Sequence, residues 1–285
     1  MKKIDLFIIG APKSGTTWLE SYFSKLDNVY TLPTENHFLS SHARAMENKV
    51  IADEFLSGVP YGSFVISKAV WYLYDQVAIK KIKIHNPRAK IIIIGREPYS
   101  LVHSKFLQFK FSKFDASCSF EEAWNNSETI SNIKNIKKCL DPSLLNYKRT
   151  GKIGKFSKKW KASYNENVLI LHLDDIKKSP KKVIQKVSDF VEIRADIDKI
   201  PGVINPQKKG KIPIISYLIY SNNNIIFKIR QSKISRLLFP NILRKKLQFW
   251  NTKQTNIQYD SLIKDDIKNY FSEDYKLFLS LKDEL

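Results

Sequence analysis

Gly10-Ala11-Pro12-Lys13-Ser14-Gly15-Thr16-Thr17-Trp18 gathers one cation, three hydroxyls and two glycines into one short turn. An apolar run, Asp5 to Gly10, precedes it and reads as a strand. After it, Trp18, Leu19, Tyr22, Phe23 and Leu26 recur at a spacing of three to four, so Ser14 to Leu26 is expected to be a helix with one apolar face. A tight strand-to-helix turn aims backbone N–H groups at one point, and the helix start adds positive potential there. The chemistry expected is the cradling of a phosphate-like anion, with Lys13 as counter-charge. A bare β-α turn would not need this crowd of polar groups.

Three other segments carry groups of the same kind. The strand Lys90 to Gly95 runs into Arg96-Glu97-Pro98, and arginine offers a planar fork suited to an anion. Ser104 follows about two turns along a helix begun near Pro98, which puts it on the same side as Arg96. Thr34-Glu35-Asn36-His37-Phe38 holds two candidate general bases, Glu35 and His37. Lys208, Lys209, Gly210 and Lys211 form a basic loop that either closes on an anion or is a solvated surface turn. His85, His103 and His172 lie within apolar patterns and read as structural.

The first loop invites comparison with the nucleotide-hydrolysing pattern G-x-x-x-x-G-K-[ST]. Gly10 and Gly15 have its spacing, but Thr16 stands at the lysine position and Lys13 lies inside the loop. No strand-end aspartate is evident to hold magnesium. Cys118 and Cys139 show no metal spacing and cannot build a disulfide framework, so no metal is expected. A kinase or NTPase of the P-loop type remains the alternative enzyme.

Together these residues resemble the sulfotransferase family that uses 3′-phosphoadenosine 5′-phosphosulfate. The resemblance lies in Pro12 to Trp18 and in Arg96-x-Pro98 with Ser104. It continues at lower strength through Gly154-Lys155-Phe156, Trp160 and Val168 to Phe190, where Phe156 replaces the family's usual tyrosine. It implies that Lys13, Ser14, Gly15, Thr16, Thr17 and Trp18 bind the 5′-phosphosulfate, and that Arg96 and Ser104 bind the 3′-phosphate. Lys208, Lys209, Gly210 and Lys211 would close over that phosphate. Thr34 to Leu39 is similar to the Lys-Glu-Pro-His-Phe-Phe segment of glycosaminoglycan sulfotransferases, departing from it at Thr34, Asn36 and Leu39. That similarity implies Glu35 as the base, with His37 beside it or in its place. The acceptor implied is a hydroxyl, carbohydrate or glycolipid in class and anionic in one version, and its pocket is expected to be shaped by residues 43–62 and 109–145. A catalytically silent member of the family is a further reading.

The elements that must position these groups alternate. Strands are expected at Asp5 to Gly10, Phe64 to Ser67, Lys90 to Gly95 and Val168 to Leu173, with helices at Ser14 to Leu26, Asp75 to His85, from Pro98, and from Ser179-Pro180 onward. This rhythm predicts a three-layer α/β fold, a central parallel sheet with helices on both faces, similar to P-loop NTPases, plus a C-terminal helical extension. One domain is expected over 1–285, with the α/β core at 1–200 and the loop and helical extension at 201–285.

Composition bounds the rest. With 43% apolar residues in 285, the chain can bury a core. Its net charge of +20 is regional: Lys134 to Lys182 holds 14 basic and 4 acidic residues, and Lys199 to Tyr259 holds 12 basic and none acidic. The charge raises nucleic-acid binding as another class, but no nucleic-acid motif is present. Lysines outnumber arginines by 40 to 8, which fits compositional drift better than phosphate reading. No nucleic acid is expected as partner, and the basic excess should flank the acceptor cleft if the acceptor is anionic. No apolar run is long enough to span a membrane, leaving peripheral contact open. The short apolar run after Met1-Lys2-Lys3 does not make a secretory leader, so Lys282-Asp283-Glu284-Leu285 is expected to carry no address and the location expected is cytoplasmic.

Overall fold

The computed structural model describes residues 2–32, 35, 37–41, 56–111, 115, 117–129, 142–202, 208–210, 252–254 and 263–283. Its chain divides into two compact units. The first joins Met1–Ser104, Lys148–Ile204 and Ile263–Leu285; the second joins Lys105–Tyr147 and Asn205–Leu262.

In chain order the elements are β1 (Leu6–Gly10), α1 (Thr16–Phe23), β2 (Val29–Thr31), β3 (Phe64–Lys68), a 3-10 turn (Val70–Tyr74), α2 (Gln76–His85), β4 (Lys90–Gly95) and α3 (Pro98–Phe111). Then come α4 (Phe120–Asn125), α5 (Tyr147–Thr150), α6 (Ile153–Tyr164), β5 (Val168–His172), α7 (Leu173–Lys178), α8 (Pro180–Val191), β6 (Lys208–Gly210), β7 (Thr252–Gln254) and α9 (Lys264–Asp283).

The sheet of the first unit has the order β2-β3-β1-β4-β5, and every pair is parallel. Parallel strands covered on both faces read as continuous apolar runs, as Leu6–Gly10 and Ile91–Gly95 do, all of them buried. Alternation sorts the two faces. Leu6, Ile8, Ile66, Ile92, Ile94, Leu169 and Leu171 face one layer, where Trp18, Leu19, Tyr22 and Phe23 of α1 meet Val183, Ile184 and Val187 of α8. On the other face Phe7 packs on Tyr72 and His85. There α6 docks on the 3-10 turn and α2: the Trp160 indole donates to the Leu73 carbonyl at 3.1 Å, and Tyr164 to that of Ile79 at 3.1 Å. The three-layer α/β expectation holds.

Local chemistry sets the helix ends. Asp75 caps α2, accepting from the amides of Val77 and Ala78. Glu97 does the same for α3, accepting from Tyr99 at 3.1 Å and Ser100 at 2.8 Å. Ser179 occupies the start of α8 but its side chain makes no cap bond; Pro180 at the first helical position sets the entry instead. Helix α9 is the observed form of the expected extension. Its Asp274 carboxylate accepts from the amides of Gly154 and Lys155, each at 2.8 Å, so it caps α6 from a distant part of the chain. Phe278 lies over Gly95, Phe271 over Gly151, and the Tyr275 hydroxyl meets His172 Nε2 at 3.0 Å.

The second unit holds an aromatic cluster of Phe106, Phe120 and Tyr147. The Tyr147 hydroxyl donates to Asp115 at 2.6 Å, and the nearly inaccessible Lys105 ammonium lies 5.0 Å from the Tyr147 ring centre. Its strands β6 and β7 form an antiparallel pair.

Candidate functional site

The turn from β1 to α1 takes a shape that its residues require. Gly15 stands before α1 at φ 95°, a left-handed conformation in which a side chain is strained. No side chain caps α1, and among the described residues the amides of Gly15, Thr16 and Thr17 have no acceptor. These orphan donors open a helix whose dipole already favours negative charge. Ser14 and Thr16 are buried around them. The donor set fits an anionic group.

Arg96 closes the same region from the end of β4. Its guanidinium donates to the Lys13 carbonyl at 3.0 Å, so the loop that carries Lys13 and the strand end that carries Arg96 are bonded directly. The Ala11 amide bonds the Ile94 carbonyl at 2.6 Å, which ties the loop to β4 a second time. Ser104 is buried on α3, six residues beyond Pro98. Trp18 lies in the core with its indole N–H donating to the Pro201 carbonyl at 2.9 Å.

A second cluster sits at the end of β3. The Lys68 ammonium lies 2.5 Å from Glu20 and 3.4 Å from the Thr17 hydroxyl, with its side chain only 10% exposed. Neither Lys68 nor Glu20 was legible in the sequence. Their partners are 48 residues apart, and no spacing rule connects an α1 carboxylate to a strand-end lysine.

Glu35 joins this cluster through the 3-10 turn. Its carboxylate accepts from the Val70 amide at 2.9 Å, and His37 Nε2 lies 3.7 Å away. Gly10 permits the approach: a side chain there would meet the Val70 carbonyl at 2.8 Å. Burial pushes the Glu35 carboxyl above the usual range, opposed by the Val70 amide and the Lys68 charge and reinforced by the Glu20 charge. The rest of the segment is pinned beside it. His37 packs edge-on against Tyr72, whose hydroxyl accepts from the Leu39 amide at 3.0 Å, and the Ser41 amide donates to Asp75 at 2.5 Å.

Other expected residues belong to the second unit or lie outside the described residues. Lys208, Lys209 and Gly210 form β6 of the second unit, and Lys211 lies outside the described residues. So do Thr34 and Asn36, and much of the segments expected to shape an acceptor pocket. Among the described residues no cluster of three His, Cys, Asp or Glu side chains is placed to hold a metal, and no helix is long and apolar enough to cross a membrane.

A crystallised sulfotransferase from Alicyclobacillus acidocaldarius superimposes with a TM-score of 0.60 at 19% identity, over 80% of this chain and 95% of that one. A sulfotransferase domain from the Synechococcus PCC 7002 olefin synthase gives 0.49 at 14% identity, over 95% of this chain and 96% of that one. The sulfotransferase domain from the curacin biosynthetic pathway gives 0.48 at 13%, over 95% and 97%. No curated protein matches the sequence. The likeness to the Alicyclobacillus structure establishes the fold. The family model described as "Sulfotransferase domain" matches residues 3–210, a span that includes β1 with its loop, the Glu35 segment and the β4 end with Arg96. The chain therefore belongs to the sulfotransferase family.

Proposed function

We propose that this protein transfers a sulfuryl group from 3′-phosphoadenosine 5′-phosphosulfate to a hydroxyl of a carbohydrate or glycolipid acceptor. The observation that carries the reading is the bond from Arg96 to the Lys13 carbonyl beside the uncapped start of α1. It joins the two segments read here as anion-binding, which suits a donor with phosphates at both ends of its ribose. The donor supplies the activated sulfur; the side chains supply position and charge.

In this reading the amides and hydroxyls of Ser14, Gly15, Thr16 and Thr17 hold the 5′-phosphate. Arg96 and Ser104 take the 3′-phosphate, and Trp18 fixes residue 201 beside the loop. Glu35 takes the proton of the acceptor hydroxyl, and His37 orients that hydroxyl or the carboxylate. Lys13 neutralises the charge that grows on the leaving phosphate oxygen, and Lys68, anchored next to Thr17, faces the same region. Lys208, Lys209, Gly210 and Lys211 are proposed to cover the 3′-phosphate. One domain over 1–285 acting in the cytoplasm without a metal completes the reading.

The test has two arms. Calorimetry of the full chain should detect micromolar binding of 3′-phosphoadenosine 5′-phosphate, and radiolabelled donor with a panel of sugar and glycolipid hydroxyls should yield labelled product that disappears in Lys13→Ala. Absence of nucleotide binding sinks the donor assignment. Transfer to none of the carbohydrates, but to phenols or sterols, sinks the acceptor class alone.

A further inference from the structure

Glu20 has no part in the reading above, yet its carboxylate is the nearest anion to Lys68. It sits in the second turn of α1, 23% exposed, and takes the Lys68 ammonium at 2.5 Å. A lysine ammonium has three N–H donors. One meets Glu20 and one points to the Thr17 hydroxyl at 3.4 Å; among the described residues no third partner is present. The other carboxylate whose charge Lys68 feels is Glu35, which accepts from the amide of Val70, two residues after Lys68. Two carboxylates thus compete for one poorly hydrated cation.

We infer that Glu20 is a positioning residue: it anchors Lys68 against Thr17 at the edge of the anion-binding loop and so keeps that cation from forming an ion pair with Glu35. The inference rests on the reading of Glu35 as the base. An ion pair with Lys68 would make Glu35 a weaker proton acceptor and would withdraw the ammonium from Thr17. Glu20 prevents both, because a short, poorly solvated ion pair holds its partners more firmly than an exposed one. Its own negative charge also opposes ionisation of Glu35, in the same direction. Among the described residues the groups that act on Glu35 are Lys68 from β3, Glu20 from α1, the Val70 amide, and His37 on its own segment.

The two partners must therefore shift Glu35 in opposite directions. Carbon-13 carboxyl NMR on the full chain, with the Glu35 signal identified by its loss in Glu35→Gln, reads this without any acceptor. Glu20→Gln should move the Glu35 midpoint to lower pH, and Lys68→Met should move it to higher pH. An unchanged or raised midpoint in Glu20→Gln overturns the inference, as does an unchanged or lowered one in Lys68→Met. Glu20→Gln made in a Lys68→Met background isolates the anchoring: direct charge alone would give the same downward shift with and without Lys68, and that result overturns the inference, whereas anchoring makes the shift smaller once Lys68 is gone. Failure of the base reading shows separately, as sulfuryl transfer that survives Glu35→Gln while the midpoints still shift.

Discussion

The guanidinium of Arg96 and the carbonyl of Lys13 are 3.0 Å apart, so the β1 loop and the β4 end, 83 residues apart and both proposed to bind the donor's phosphates, form one bonded surface. Arg96 is thereby oriented before any ligand arrives, which lowers the cost of ordering it on binding.

Arg96→Lys should therefore be far from conservative. Lysine keeps the charge but cannot hold the Lys13 carbonyl and a phosphate with one planar fork. Affinity for 3′-phosphoadenosine 5′-phosphate should fall by roughly tenfold to a hundredfold, about 1.4 to 2.8 kcal/mol. Titration calorimetry on the two proteins reads the difference directly.

Lys13→Ala should act on rate more than on binding. A charge that grows only as the sulfur–oxygen bond breaks is matched by a cation placed for that moment. A fall in kcat of about a hundredfold to a thousandfold is expected, with a much smaller loss of product-nucleotide affinity. Single-turnover measurements would separate the two, and equal losses in both would place Lys13 in ground-state binding instead.

Glu35 should impose an acid limb on the pH profile. Burial raises its proton affinity, and a base works only when deprotonated, so activity is lost as pH falls through that raised pKa. The limb should therefore lie at higher pH than for an ordinary exposed glutamate. Glu35→Gln should remove the activity, and His37→Gln should lower it while keeping the limb. A limb that vanishes in His37→Gln would transfer the base role to His37.

Asp274→Ala should destabilise the first unit. It strips two amides at the start of α6 of their acceptor; loss at the half-buried Gly154 amide should cost about 1 kcal/mol, and at the exposed Lys155 amide less, because water replaces the carboxylate. Urea unfolding should show a lower midpoint with an unchanged slope.

Two histidines should make the fold sensitive to mild acid. His85 Nε2 accepts from the Ile4 amide at 2.9 Å, and His172 Nδ1 accepts from the Asp174 amide at 3.1 Å. Burial lowers both pKa values below the ordinary histidine value. The unfolded chain then takes up protons first, so stability is full above about pH 6.5 and declines as pH falls through the folded-state values. Denaturation midpoints measured from pH 8 down to pH 5 should fall over that range, and less steeply in His85→Gln.

Much of the arrangement was legible because its chemistry is local. The β1 loop, the Arg96 strand end and the α3 spacing to Ser104 each lie within a dozen residues, and turn chemistry plus periodicity suffices to read them. What the sequence hid was long-range. Strand β2 is only Val29–Thr31, half-buried and too short to show alternation. The Lys68–Glu20 pair forms only when β3 is laid beside β1, since Lys68 stands opposite Ile8 in the sheet. The regional charge is placed only in part by the described residues. Among the described lysines, Lys155 and Lys158 are exposed on α6, while Lys177, Lys178, Lys181, Lys182 and Lys186 are exposed on α7 and α8. These helices cover opposite faces of the sheet, and most of Lys199 to Tyr259 lies outside the described residues.

Helix α9 carries a consequence for biosynthesis. All five strands of the sheet are present once residue 172 has been made, yet the groups that cap α6 and cover Gly95 and Gly151 come more than 90 residues later. Until α9 emerges from the ribosome, a nascent chain therefore lacks the cap of α6 and the cover of Gly95 and Gly151. Chaperone occupancy should be highest in that interval, and translational pauses after β5 would lengthen the exposure.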